Sequence, residues 1–286
     1  MKNNWLNNKT VIITGASSGI GRGIAEKLIK EYNCRVLGVA RSKEKTESFS
    51  AALGSDKEKF SYRLFDVSKR DNWKSLAEYI KEEDIKPDIL INNAGVLPEF
   101  KKAENFSVEE IEQTMSINFY GAVYSMKELL PLILESSTPA VVNIDSSAAF
   151  MTLAGTSVYS ASKAALKAFT EAAREELRGR CYVGLVCPGF TKTDIFRSQN
   201  LTEEREEKII GAISTSCDYA VKRIVKGIAK KRELTVIGAD AQFMKLLGKI
   251  MPVKGGKMIS AILKKSGFKL FDGLNLYRND RLKTKK

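Results

Sequence analysis

Lys9-Thr10-Val11-Ile12-Ile13-Thr14-Gly15-Ala16-Ser17-Ser18-Gly19-Ile20-Gly21 is the stretch from which the fold can be read. Its first half is short, apolar and β-branched, the composition of a strand buried on both faces. Thr14 to Gly21 is a glycine-rich turn, and a helical stretch follows from Arg22 to Tyr32. Strand, glycine-rich turn and helix N-terminus in that order make a site for a dinucleotide pyrophosphate. Glycines let the backbone approach the phosphates, and the helix dipole favours their charge.

Outward from that unit, short apolar runs alternate with longer helical patterns. Strands are expected at Val11–Thr14, Arg35–Ala40, Ser61–Phe65, Ile89–Asn92, Ala140–Asp145, Tyr182–Cys187 and Leu234–Ile237. Strands separated by helices predict a parallel sheet with right-handed crossovers, that is, an α/β Rossmann-type doubly wound fold of about seven strands. The ends of the fourth and fifth strands, Asn92-Asn93-Ala94-Gly95 and Asp145-Ser146, then open on the carboxyl edge, where such folds bind ligands.

Ser146 is followed by Tyr159 and, four residues on, by Lys163. The i, i+4 spacing places a phenol and an ammonium on one helix face. A phenol ordinarily titrates at about 10, so a fixed positive charge nearby is expected to make it more acidic. Ser147 rivals Ser146 by proximity, and spacing favours Ser146.

Several motifs in one order carry a family resemblance: Thr14 to Gly21, Asp66-Val67, Asn92-Asn93-Ala94-Gly95, Asn118, Ser146, Tyr159 with Lys163, and Pro188-Gly189 with Thr193. The chain resembles the short-chain dehydrogenase/reductase (SDR) family over residues 9–240. The resemblance implies that Tyr159 is the general acid or base and that Lys163 lowers its pKa and binds the nicotinamide ribose. It implies that Ser146 orients the substrate oxygen and that Asn118 positions a water linking Lys163 to solvent. For the cofactor it implies Gly15, Ser17, Ser18, Gly19 and Gly21 at the phosphates, Asp66 and Val67 at the adenine, Asn92, Ala94 and Gly95 along the cleft, and Ile20 at the nicotinamide end. Pro188, Gly189, Thr191 and Thr193 fall at the nicotinamide end. Two residues depart from the family's pattern: Asp145 stands where serine is common, and Ala149 where glycine is common. An acid beside the catalytic serine is expected to alter substrate choice or pH dependence.

Cofactor choice is legible after the second strand. An NAD enzyme usually carries Asp or Glu there, whereas this chain has Arg41-Ser42 with Lys43 and Lys45 nearby. A carboxylate would repel a 2′-phosphate and a guanidinium clamps it, so the expected cofactor is NADP(H). The segment from Phe190 to Ser216, with its polar run Thr202 to Glu207, is expected to cover the substrate. Val96, Leu97, Phe150, Met151, Leu153 and Phe196 are candidates for an apolar pocket.

Composition narrows the chemistry. The 286 residues contain no histidine, which excludes Ser-His-Asp hydrolysis, Cys-His chemistry, histidine-ligated zinc and proximal-histidine haem. Cys34, Cys181, Cys187 and Cys217 include no C-x-x-C pair, and the first three sit in or beside apolar runs as small core residues. No metal site is expected. No run is apolar and long enough to span a bilayer or serve as a signal peptide, so the expectation is a cytoplasmic protein.

The organisation expected is a catalytic domain over 1–240 and a basic helical extension over 241–286. The extension carries twelve Lys/Arg against Asp272 and Asp280, or +10 of the formal net charge of +13. Phe243 to Met251 and Lys257 to Lys265 interleave lysines with apolar residues at helical spacing, a pattern suited to an anionic membrane surface. The competing expectation is that these helices pack on the body or on a second subunit as a homo-oligomer. No recognition motif accompanies the lysines, so nucleic acid is not an expected partner. Two function classes follow: an oxidoreductase on a carbonyl or alcohol, lipophilic if delivered at a membrane, or a non-catalytic NADP-binding regulator or scaffold. Ser146, Tyr159, Lys163 and Asn118 together favour the enzyme.

Overall fold

The computed structural model describes residues 4–193 and 214–265. Seven parallel strands form one sheet in the order β3-β2-β1-β4-β5-β6-β7. They are β1 (Thr10–Thr14), β2 (Arg35–Ala40), β3 (Phe60–Leu64), β4 (Ile89–Asn92), β5 (Ala140–Ile144), β6 (Tyr182–Pro188) and β7 (Leu234–Ile237). Five strand ends differ from expectation by one residue: β1 begins at Thr10, β3 spans Phe60–Leu64, β5 stops at Ile144 and β6 ends at Pro188. β3 begins one residue earlier, because Phe60 pairs with Val36, and β6 runs on through Pro188, which pairs with Ile237.

Strand alternation divides the core in two. Val11 and Ile13 face a layer made by α1 (Gly19–Tyr32), α2 (Lys43–Ala52) and α7 (Cys217–Ala229), where Ile24, Leu28, Phe49, Val221 and Ile224 are buried. Ile12 and Leu90 face the opposite layer of α3 (Arg70–Glu82), α5 (Gly121–Ile133) and α6 (Ser157–Glu176), with Trp73, Leu76, Leu129 and Ile133. In α3 the buried residues Trp73, Leu76, Ala77 and Ile80 recur at i, i+3, i+4 and i+7, the stripe that docks a helix on a sheet. Burying a large apolar side chain such as Leu76 or Ile80 stabilises the fold by about 1.5–3 kcal/mol.

Several helices begin on a capping serine. The Ser107 hydroxyl and the Glu110 carboxylate cap α4 (Val108–Met115) reciprocally, and the Ser216 hydroxyl accepts from the Tyr219 N–H at the start of α7. Between α4 and α5 the chain makes a π-turn over Ser116–Tyr120, and Asn118 lies in it.

The strand order reverses between β1 and β4, which leaves a crevice at the carboxyl edge. α8 (Ala239–Ile250) and α9 (Gly255–Lys265) close the chain over one end of it. Their inner residues Met244, Leu247 and Ile259 form a third cluster with Met151 and Leu153. The start of the expected extension is thereby packed on the body. Its residues 266–286 lie outside the described part, as do Phe196 and the polar run 202–207.

Candidate active site

The glycine-rich turn owes its shape to two left-handed residues, Gly15 (φ 67°) and Gly19 (φ 50°). Gly21 is needed for a different reason. A Cβ there would lie 2.2 Å from the Gly15 carbonyl oxygen and 2.4 Å from Asn93 Nδ2, so only glycine lets α1 sit this close to the turn. The result is a backbone cradle at a helix N-terminus, with Ser18 extended at the N-cap and no acidic residue in the first turn. A pyrophosphate fits such a cradle by shape and charge.

From this cradle a cavity of about 420 Å³ runs along the sheet edge. Gly15, Ser18, Gly19, Ile20, Ala94, Gly95, Pro188, Gly189, Thr191 and Thr193 all line it, as do Ser146, Tyr159 and Lys163. Residues separated by more than a hundred positions in the chain thus meet at one edge. Gly95 marks how tightly: a Cβ on it would stand 3.3 Å from Asn118 Oδ1 and 3.6 Å from Lys163 Nζ.

Not all of the expected residues line the cavity. Asn92 does not reach the cavity. β4 turns it to the other face, where Nδ2 donates to Asn143 Oδ1 (2.9 Å) and Oδ1 accepts from Ser125 Oγ (2.6 Å). Asn143 in turn donates to Thr170 Oγ1 at 2.8 Å, completing a buried polar chain between sheet and helices. Asn93, its neighbour, does line the cavity, and Thr14 Oγ1 holds that loop by accepting from the Asn93 and Ala94 N–H groups at 2.8 and 2.9 Å. The Asn118 amide donates to Val96 O (2.9 Å) and Ser162 Oγ (3.0 Å) and accepts from Val96 N–H (2.7 Å). It fixes the wall beside Lys163. Val67 packs against Gly121, and its carbonyl accepts from Trp73 Nε1.

At the far end of the crevice, Arg41 follows β2 on the surface, and Ser42 caps α2 by accepting from the Lys45 N–H at 3.3 Å. Burial pushes the Asp66 carboxyl up, but hydrogen bonds from Ser68 and the charges of Arg41 and Lys69 outweigh it and hold Asp66 below its usual range.

The apolar wall contains Val96, Leu97 and Leu153 as expected, together with Phe100, Phe190 and Met244. Phe150 and Met151 are not part of this lining, and Met151 packs with Leu153 and Met244. Met244 comes from α8, and so does Asp240, whose Oδ2 accepts from the Phe190 N–H at 2.7 Å. A Cβ on Gly189 would fall 2.0 Å from that carboxylate, which explains the glycine. Asp240 and Met244 carry no local signal, since their roles depend on a contact made fifty residues away in sequence.

The phenol's acidity runs against expectation. Burial pushes Tyr159 up to about 12; the Ser146 hydroxyl pulls it down and Asp145 pushes it further up. Lys163 is buried and its Nζ donates to Ile144 O at 3.2 Å, standing 5.9 Å from the centre of the Tyr159 ring. Burial lowers its pKa, and Asp145 opposes that. The isolated i, i+4 pair would favour phenolate, but desolvation of the ring outweighs it.

A glycine-rich cradle on a doubly wound sheet, with a serine, a phenol and an ammonium lining the cavity that runs from it, defines an α/β protein with a dinucleotide-binding fold. Residues 9–204 match the family profile described as short chain dehydrogenase, and the chain belongs to the short-chain dehydrogenase/reductase family of oxidoreductases, with its NAD(P)-binding fold.

The 11-beta-hydroxysteroid dehydrogenase 1A of Arabidopsis thaliana is 34% identical, over 78% of this chain and 66% of its own. A short-chain dehydrogenase from Sphingobium yanoikuyae in complex with NADPH aligns with a TM-score of 0.71 and 26% identity, over 86% of this chain and 94% of the other. A short chain dehydrogenase/reductase from Burkholderia phymatum in complex with NAD shares the fold, with a TM-score of 0.77 at 21% identity, over 87% of this chain and 96% of the other.

Proposed function

We propose that this protein is an NADP(H)-dependent carbonyl reductase or alcohol dehydrogenase acting on a lipophilic substrate. The observation that carries the reading is the meeting of Ser146, Tyr159 and Lys163 on the cavity that begins at the nucleotide cradle. Bound NADP(H) supplies or accepts the hydride. Ser146 donates a hydrogen bond to the substrate oxygen and holds it in reach of Tyr159. The Tyr159 hydroxyl passes its proton to that oxygen during reduction. Its raised pKa keeps it protonated at neutral pH, which suits the reductive direction. Lys163 places a positive charge near the Tyr159 ring and would hold the nicotinamide ribose.

Arg41 supports the 2′-phosphate, since the end of β2 offers a guanidinium and no carboxylate. The Sphingobium relative was solved with NADPH, and others of the fold with NAD, so the preference rests on Arg41. The apolar wall of Val96, Leu97, Phe100, Leu153, Phe190 and Met244 favours a hydrophobic substrate. The name of the Arabidopsis relative fits that class.

Delivery from a lipid surface agrees with the outer face of α8 and the turn after it. Phe243, Leu246, Ile250 and Val253 are 49%, 56%, 66% and 89% exposed, with Lys245, Lys249 and Lys254 exposed among them. Among the described residues no helix is long and apolar enough to cross a membrane, so the contact would be peripheral.

The test is NADPH oxidation against a panel of steroid, acyl, sphingoid and small carbonyls, with Tyr159→Phe as control. Loss of the proton donor should cost about 10²–10⁴-fold in kcat with NADPH binding intact. Near-normal kcat in Tyr159→Phe refutes the assignment.

A further inference from the structure

Asp145 is an acid at the cavity that the proposed reaction does not use. It follows β5, in which Val141 and Asn143 face α6, and the same alternation carries Asp145 to that side. The residue is 5% exposed, and neither carboxylate oxygen has a hydrogen-bond partner. The Ser146 N–H approaches without meeting hydrogen-bond geometry. Buried carboxylates without partners are rare because desolvation is costly, so the charge needs a compensating one.

The groups that face it supply that charge. From α6 come Lys163 and Lys167, with Glu171 beyond, itself paired to Lys167 at 2.7 Å. From β6 comes the buried Cys187 thiol, and Tyr159 stands on the cavity side. Lys163 has the matching problem: it is a buried ammonium whose hydrogen bond goes to a neutral carbonyl, that of Ile144, the residue immediately before Asp145. The two charges interact through space, since no ion pair within 4.0 Å joins them among the described residues. The Asp145 oxygens are sealed from the cavity, so the residue acts through Lys163 and not on the substrate.

We propose that Asp145 is a positioning residue, the counter-ion that keeps the buried Lys163 charged and sets the proton affinity of the Tyr159–Lys163 pair. The electrostatics run the same way. Burial pushes the Asp145 carboxyl up to about 7 while Lys163 pulls it down, and burial lowers Lys163 while Asp145 raises it. With Asp145 ionised, the cluster of carboxylate, ammonium and neutral phenol carries no net charge. Removing the carboxylate leaves a lone positive charge, so the pair should release its first proton at lower pH.

The inference rests on the oxidoreductase reading for its catalytic meaning, but its first test needs no turnover. A double-mutant cycle of Asp145→Asn and Lys163→Met is read by thermal denaturation without cofactor. Each single variant strands one buried charge and the double variant strands neither, so its Tm should exceed the additive expectation by at least about 3 °C. Additive losses overturn the proposal. If Asp145→Asn does not fold, Asp145→Ser takes its place in the cycle. The second test is the pH profile of alcohol oxidation, in which the rising limb of kcat/KM should move acidward by about one unit in Asp145→Asn. A profile that is only scaled down, with its limb unmoved, overturns the assignment. Absence of turnover in wild-type protein over the whole substrate panel would instead defeat the oxidoreductase reading, while the coupling measured by the cycle would still decide whether the two charges compensate each other.

Discussion

Asn92→Ala separates a cofactor ligand from a structural residue. In the structure the Asn92 amide links Ser125 to Asn143. Its loss leaves Asn143 Oδ1 buried without that donor, at about 1–3 kcal/mol. Ser125 loses less, because its hydroxyl also reaches Ala122 O at 2.7 Å. With the small void added, the total is about 2–4 kcal/mol, since protein around a buried site relaxes only in part. A domain of this size loses about 2–4 °C of Tm per kcal/mol, so thermal denaturation followed by circular dichroism should show a drop of about 5–15 °C. NADPH affinity, measured by titration calorimetry well below the lowered Tm, should stay within about threefold of wild type, or less than about 0.7 kcal/mol. An unchanged Tm with cofactor binding weakened tenfold or more would refute this reasoning and return Asn92 to the cleft.

Three further outcomes follow from the same geometry. Gly21→Ala places a methyl group where backbone and the Asn93 amide already stand, and should weaken NADPH binding at least about tenfold in the same titration; unaltered affinity would mean that the cradle is not where the phosphates lie. Wild-type kcat/KM should favour NADPH over NADH by at least about tenfold, and Arg41→Ala should erase most of that preference through the NADPH value. Leu246→Glu with Ile250→Glu should abolish co-sedimentation with anionic vesicles while leaving NADPH binding intact, and wild-type association should fall as salt shortens the Debye length from about 10 Å at 0.1 M. Wild-type protein that ignores such vesicles at low salt would give the exposed α8 face to self-association or another partner.

Much of this protein was settled by the order of residues along the chain. The strand-turn-helix unit from Lys9 to Tyr32, the alternation that makes a parallel sheet, and the Tyr159–Lys163 spacing are local patterns. Covalent geometry translates them directly into a cradle and a helix face. Other features were decided only when distant elements packed. Asn92 and Asn93 are adjacent in sequence, yet the pleat sends one to the buried helix layer while the other stays at the cavity. Met244 falls in the stretch expected to be a separate basic tail and Asp240 at its border, and the return of α8 across the sheet edge brought them to the apolar wall and the Phe190 turn. The direction of the phenol's pKa depended on how far the surrounding protein desolvates Tyr159 and on which charge faces Lys163. Desolvation and through-space charge are sums over the whole surrounding volume, so no spacing along one helix could contain them.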